Sequence, residues 1–252
     1  MTDREIIQHI DEGADYYVSL FGEAEYMEKM DKEYYSYVKP KAGEQGITFI
    51  YNVRIESLAP EQKKAVIEEM KSMNAPIWLS LLVSDETAVL YSGKEPAHGQ
   101  SEPSEEGERY MAMLAEEKRE YNGKNHEIIK VKTASDFALW ARITNDIFFD
   151  GYPEIHPIHH YIWCEEKGVK CCILYHDSVP ASVAAIMDHQ GAASLEFVGT
   201  VSGMRQKGFA RAVCERAVSE AFSDGASIIT IRAVNAAAAR LYQSIGFKEY
   251  SV

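Results

Sequence analysis

The residues best suited to chemistry lie between Val198 and Arg211 (VGTVSGMRQKGFAR). The pattern predicts a strand, a short loop and a helix that opens at small residues. Phe209, Val213 and Ala217 would line one helix face, with Ala210, Cys214 and Ala221 beside them. The first N–H groups of a helix have no internal partner, and the helix dipole is positive at that end. A loop that aims those donors outward makes a site for a pyrophosphate. Gly208 and Ala210 leave room for backbone approach, and Arg205, Lys207 and Arg211 add positive charge. A second cluster, Glu154, His156, His159 and His160, holds potential metal ligands. Pro157 interrupts a helix there, and helical neighbours His159 and His160 would point apart, so no metal site is expected.

These residues need elements to hold them. Arg4 to about Val38 reads as helical, with Ile6, Ile10, Tyr17 and Phe21 at helical spacing. Lys39 to Gly46 reads as a loop, Ile47 to Ile55 as a strand, and Pro60 to Met73 as a helix opened by proline. Ser92 to Gly107 is loop-like in composition, Glu108 to Tyr121 reads as a further helix, and Asn122 to Asn125 ends it. A boundary there divides the chain into 1–125 and 126–252. Beyond it, strands are expected at Glu127–Lys132, Val169–His176, Ser182–Met187, Ala193–Val201 and Ser227–Ala233. Helices are expected at Ala134–Phe149, Lys207–Ser223 and Ala236–Ile245. Strands in one run, then alternating helix and strand, predict a mixed α/β sheet preceded by a smaller α/β lobe.

Arg205-x-x-Gly208-x-Ala210 resembles the Arg/Gln-x-x-Gly-x-Gly/Ala motif of the GNAT superfamily of N-acetyltransferases. About 30 residues on, NAAAARLYQSIGF (Asn235 to Phe247) resembles that family's closing segment, Asn-x-x-Ala-x-x-Leu-Tyr-x-x-x-Gly-Phe, without a gap. Two motifs in the right order, with a helix and a strand between them, are far more specific than either alone. Gly246 suits a helix stop. The N-terminal half lacks the cofactor motif and looks, more loosely, like the first part of two-lobed GNAT proteins; as a degenerate copy of the same lobe it would have lost the turn.

The resemblance implies direct acyl transfer from acetyl-CoA to an amine, without a covalent enzyme intermediate. The cofactor would lie on Val198, Gly199, Thr200, Val201, Arg205, Gln206, Lys207, Gly208, Phe209, Ala210 and Arg211, with Asn235 at the pantetheine arm. A backbone N–H on the strand would polarise the thioester oxygen, and Gly199 would mark the bulge that turns it outward. Tyr242 matches the family's general acid for the leaving thiolate. An acceptor amine with pKa about 10 must lose a proton before attack, and Glu196 is the first candidate base, with water-mediated transfer as the other route. His156, His159, His160, Phe148, Phe149, Tyr152 and Tyr161 would line the acceptor site or pack the core. Only Phe247 to Val252 remains for a last strand, so edge pairing or a partner subunit would have to complete the sheet.

Bulk properties narrow the alternatives. The 252 residues are 46% hydrophobic and 26% charged, enough for one large or two ordinary domains. No apolar run reaches the ~20 residues of a membrane span, and the acidic start carries no export signal, which points to the cytoplasm. Cys164, Cys171, Cys172 and Cys214 form no C-x-x-C pair and read as reduced, buried thiols. Net charge is −13, of which −11 lies in residues 1–125. That charge argues against nucleic acid and favours a cationic small molecule or peptide amine as acceptor, or serves solubility alone. A monomer and a homodimer are both compatible with the pattern. The rival function is a non-catalytic acyl-CoA-binding sensor or scaffold, which would need no Tyr242; a third is peptide binding by the acidic half.

Overall fold

A computed structural model describes residues 1–92, 108–118 and 126–250. In the first helix, α1 (Asp3–Phe21), the Thr2 hydroxyl accepts from the Glu5 N–H at 3.3 Å and the Glu5 carboxylate accepts from the Thr2 N–H at 2.7 Å. That capping box satisfies two otherwise orphaned donors. The expected helix to Val38 stops far earlier, at Gly22. Strands β1 (Met27–Asp31) and β2 (Ser36–Pro40) follow as an antiparallel pair. A Cβ on Gly22 would stand 2.5 Å from Val38 Cγ1, so the helix ends where the hairpin crosses it. Strand β3 (Phe49–Tyr51), shorter than expected, pairs with β2 to give a three-stranded sheet. Helix α2 (Pro60–Ser72) opens with proline as its sequence requires, and α3 (Asp85–Ser92) was not legible in the pattern. Two carboxylates are held inside this region. Asp11 accepts from the Ser80 hydroxyl at 2.6 Å and the Leu81 N–H at 3.0 Å. Asp15 accepts from the Asn52 N–H at 2.8 Å, and burial pushes its pKa up to about 6.

The chain divides into two compact units, Met1–Ser104 and Glu105–Ser251. The second unit begins with β4 (Arg109–Leu114) and a 3-10 turn, Ala115–Glu117. It continues through β5 (Glu127–Lys130), α4 (Ala134–Phe148), a π-helix (His160–Glu166), β6 (Lys170–His176), β7 (Val179–His189) and β8 (Ala192–Thr200). A 3-10 turn (Ser202–Met204), α5 (Phe209–Ser223), β9 (Ile228–Ala233), α6 (Ala236–Ile245) and β10 (Lys248–Tyr250) complete it. The seven strands lie in the order β10-β4-β9-β8-β7-β6-β5, with β8 and β9 parallel and every other pair antiparallel. The mixed α/β class with a smaller second lobe is the one expected.

The helix expected over 108–121 is, where the structure describes it, strand β4 followed by the short 3-10 turn Ala115–Glu117. Met111, Ala112 and Met113 are buried between β9 and β10. An apolar run of this length suits a buried strand or a helix equally, and pairing distant in sequence decides. The boundary expected at residue 125 therefore falls inside the second unit, and the sheet's further strand comes from this chain rather than from a partner. The remaining expectations over 93–107 and 119–125 lie outside the described residues.

Helices α5 and α6 pack on one face of the sheet, joining Val213, Ala217 and Tyr242 to Leu195, Ile229 and Ile231. By the pleat, Ile173, Val183 and Ala185 face the other way. There α4 lies across β6, β7 and β8 with Phe137 and Trp140 fully buried.

Candidate active site

The site begins where two strands part. Strands β8 and β9 pair only at Ala192–Ser194 with Ile228–Thr230, yet β8 runs on to Thr200 and β9 to Ala233. Beyond Ser194 the facing edges are unladdered, which leaves backbone donors and acceptors turned into a gap. The Val201 N–H donates to the Ala181 carbonyl at 3.0 Å, on the β7 side. By the alternation of an antiparallel ladder, the amides of Thr200 and, before it, Val198 face the gap. Ser182 fixes this segment by donating to the Gly199 carbonyl at 2.6 Å and meeting the Thr200 hydroxyl at 3.0 Å.

A bulge does sit in β8, but not at Gly199. Val183 pairs with Gly199 while Ala185 pairs with Glu196, so Phe197 and Val198 together oppose Ala184. Phe197 carries the strain, with φ at +53°. Its ring is held by Trp140 (centroids 5.6 Å apart), Phe148 (5.9 Å), Trp163 (6.3 Å) and Phe149 (6.5 Å). Trp140 also donates to the Ala184 carbonyl, opposite the bulge, at 3.3 Å. Gly199 has another purpose. A Cβ there would stand 2.8 Å from Ile147 Cγ2 and 2.9 Å from Phe148 Cε2, so its bare backbone admits the last turn of α4. Nothing in the sequence separates a bulge glycine from a close-approach glycine. No local signal marked Phe197, because a bulky residue is the least expected at positive φ.

The turn into α5 follows the expected plan. Gln206 (φ +62°) and Gly208 (φ +84°) are left-handed, with Lys207 between them. Such alternation turns successive N–H groups toward one concavity. Space above Gly208 is open, with nothing within 4 Å of a Cβ built there, so its conformation is what demands glycine. The Ala212 N–H bonds back to the Gly208 carbonyl at 3.1 Å. The amides of Phe209, Ala210 and Arg211 lie in the first turn, ahead of any intrahelical acceptor. Phe209 itself is core. Arg205 closes the loop, its Nε donating to the Thr200 carbonyl at 3.3 Å, and Lys207 is exposed. Arg211 does not face the turn freely. It donates to Glu215 at 2.8 Å and to the Ser244 hydroxyl and carbonyl at 3.1 and 3.2 Å, clamping α5 to α6.

Helix α6 supplies the third part. Asn235 is its N-cap, accepting from the Ala238 N–H at 2.9 Å through Oδ1. Tyr242, 6% exposed, packs edge-on to Phe247 at 6.0 Å. Its hydroxyl has no hydrogen-bond partner among the described residues. Burial drives its pKa upward, with smaller contributions from Cys214 and the Glu196 charge. Glu196, on β8, is half-buried, its side chain 11% exposed, and lies 3.5 Å from Arg232 on β9, bridging the strands where they separate. Desolvation raises its carboxyl above the usual range despite the guanidinium, which lowers it. Arg232 was not singled out in the sequence, where one arginine in an apolar strand carries no motif.

The histidines have structural surroundings. His159 is fully buried and stacked on Trp163 at 4.8 Å, and burial brings its pKa down to about 4. Its Nδ1 accepts from the His156 N–H at 3.0 Å. His160 packs edge-on to Phe137. Phe148, Tyr152 and Tyr161 keep 42, 42 and 58% exposure on α4 and the segment after it. Among the described residues no helix is long and apolar enough to cross a membrane.

Known proteins resemble this chain in sequence pattern and in fold. Residues 137–247 match the sequence model of the Acetyltransferase (GNAT) family. No curated protein matches the chain by sequence. A GCN5-related N-acetyltransferase from Kribbella flavida superposes with a TM-score of 0.62 at 13% identity, over 96% of this chain and 92% of its own. One from Sphaerobacter thermophilus gives 0.57 at 12% identity, over 99% and 90%. At such identity the likeness is one of fold, and it extends over both units. With the family match lying on the splayed strands, the αL turn and helix α6, residues 137–247 of this chain carry a GNAT acetyltransferase domain.

Proposed function

We propose that the protein is an N-acetyltransferase that passes an acetyl group directly from acetyl-CoA to an amine. The observation that carries this reading is the gap between β8 and β9, which ends at one mouth in the Gly208 turn and is flanked by Tyr242 and Glu196. The pyrophosphate would sit on the amides of Lys207 to Arg211, with Arg205 and Lys207 supplying charge. The pantetheine arm would add to the free edge of β8 through Val198 and Thr200, as an extended ligand adds to a sheet. Asn235 can cap its helix through Oδ1 and still offer its NH₂ group to the arm.

The chemistry then follows from positions. The amide of Val198, presented by the bulge, polarises the thioester oxygen as charge develops, an effect worth ~3 kcal/mol. Tyr242 stays protonated far above neutral pH and can give its proton to the leaving thiolate. Glu196, its pKa raised, is better matched to accept the ammonium proton than an ordinary surface carboxylate, directly or through water. The acceptor would approach past the exposed rings of Phe148 and Tyr152. The acidic first half of the chain favours a cationic acceptor.

Calorimetry with acetyl-CoA tests the cofactor site. Wild type should bind in the micromolar range and Gly208→Glu, which sets bulk and negative charge in the turn, should not. Tyr242→Phe should keep the affinity and lose ~10²–10⁴ in turnover against an amine panel. A folded wild type that fails to bind acetyl-CoA would overturn the proposal, and undiminished binding by Gly208→Glu would overturn the cradle.

A further inference from the structure

A second pocket lies in the acetyltransferase unit, away from the site above. It is lined by residues near the C-terminal end of α5, Ala217 to Ala221, whereas the cofactor turn precedes the N-terminus of the same helix. Ala217 and Ala221 lie 9 and 13 residues beyond Gly208, so the two places lie ~14–20 Å apart at 1.5 Å per residue. The pocket has a volume of about 300 Å³. Its wall includes Cys164 from the π-helix and Cys171 from β6, and Lys130, Lys132 and Lys170 are also in its lining. The two side chains interact with each other, and the Val169 N–H donates to the Trp163 carbonyl at 2.7 Å, which holds the π-helix against the start of β6. Cys164 is half-buried and Cys171 is 2% exposed.

We infer that Cys164 and Cys171 form a reversible dithiol–disulfide site that is charged by a small anionic disulfide entering this pocket. The two sulfurs are unequal in the way such a pair requires. Cys164 is reachable and Cys171 is sealed behind it. The Cys171 contact lowers the Cys164 thiol pKa, while burial raises that of Cys171. Cys164 therefore attacks and Cys171 resolves. Lys130, Lys132 and Lys170 outnumber the lining carboxylates Glu165 and Glu220, which favours an anionic reagent. Lys130 pairs with Glu220 at 3.0 Å and Lys170 with Asp188 at 2.5 Å, but Lys132 makes no ion pair among the described residues.

The steps balance. The Cys164 thiolate attacks one sulfur of the incoming disulfide; that S–S bond breaks, a mixed disulfide forms on Cys164, and one thiolate leaves. Cys171 then loses its proton and attacks the Cys164 sulfur, releasing the second thiolate. Two protein thiols are oxidised, the reagent is reduced to two thiols, and those carry away the two protons. Closure ties the π-helix to β6. Trp163, the neighbour of Cys164, stacks on Phe197 at 18° between ring planes, so the bond adds a fixed support behind the β8 bulge.

Oxidised glutathione is the probe, applied to the full-length chain, with intact mass and peptide mapping as the readout. Neither depends on acetyl transfer, so failure here leaves the proposed activity untouched. The expected wild-type product has lost two protons, carries no glutathione and yields a peptide linked through 164 and 171. Cys171→Ser should instead retain one glutathione, on Cys164. Cys164→Ser should react at least ~10-fold more slowly, because the thiolate in an accessible site sets the rate. A wild type that keeps glutathione on Cys164 would overturn the pairing, as would no reaction or a link through Cys172 or Cys214. The wild-type result decides even where a serine variant is unstable.

Discussion

Replacing Gly199 by alanine separates two physical readings of one position. Its φ is not in the left-handed region, so alanine adds no backbone strain. The added methyl would stand 2.8 Å from Ile147 Cγ2 and 2.9 and 3.0 Å from Phe148 Cε2 and Cζ. Carbon atoms prefer ~3.5–4.0 Å, so all three contacts must open by ~0.5–1 Å. Overpacking of this kind costs about 1–3 kcal/mol. For a chain of this size each kcal/mol moves Tm by ~2–4 °C, so Gly199→Ala should melt roughly 2–12 °C below wild type. Phe148 is 42% exposed, so its ring can be removed with little loss of its own. The variant Gly199→Ala/Phe148→Ala should then lose less than the sum of its parts, with a coupling of about 1 kcal/mol. Calorimetric melting of the four proteins measures this. A single variant as stable as wild type, or strictly additive losses, would refute the close approach of α4 as the reason for glycine.

Other perturbations are equally specific. Asp15→Asn should stabilise the first unit above pH 6. The folded pKa of about 6 lies above the ordinary 3.8, so stability is complete at low pH and lost as pH rises through 6. The shift, about two units, is worth up to ~3 kcal/mol, and the wild-type decline in Tm between pH 4 and 6.5 should flatten in the variant. Glu196→Gln should abolish an acid limb of kcat/KM set above the usual glutamate range and slow turnover ~10²-fold; an unchanged limb would place the base elsewhere. Asn235→Ala should lower stability by about 1 kcal/mol through the lost cap. Asn235→Ser should restore the cap but not the acetyl-CoA affinity if the amide also holds the pantetheine arm.

The parts of the site that reside in one local segment were legible. The turn from Arg205 to Arg211 and the helix from Asn235 to Gly246 each carry their own conformational requirements, a left-handed glycine and a side-chain cap, and each appears where its residues stand. What escaped depends on pairing between distant segments. The run from Arg109 to Leu114 is apolar without alternation, and only its two flanking strands make it a strand. The bulge escaped because its strained residue is a phenylalanine, held by four rings that lie far from it in sequence or on another element. Arg211 looked like a phosphate ligand because charge is visible in a sequence and the direction of a guanidinium is not.

Strand β4 also sets a timetable for synthesis. Leu114 pairs with Ile228, and the rest of β4 pairs with β9 and, on its other edge, with β10. At ~5–20 residues per second, roughly 6–23 s of translation pass between the emergence of Leu114 and that of its partner. Throughout that interval the edge bearing Met111 and Met113 has no neighbour, and an unpaired apolar edge is where chains join the wrong partner. The sheet of the second unit can therefore close only after β10 has emerged, which makes its yield sensitive to chaperone supply. It also means that a fragment starting at residue 126 would lack the strand on which β10 is seated.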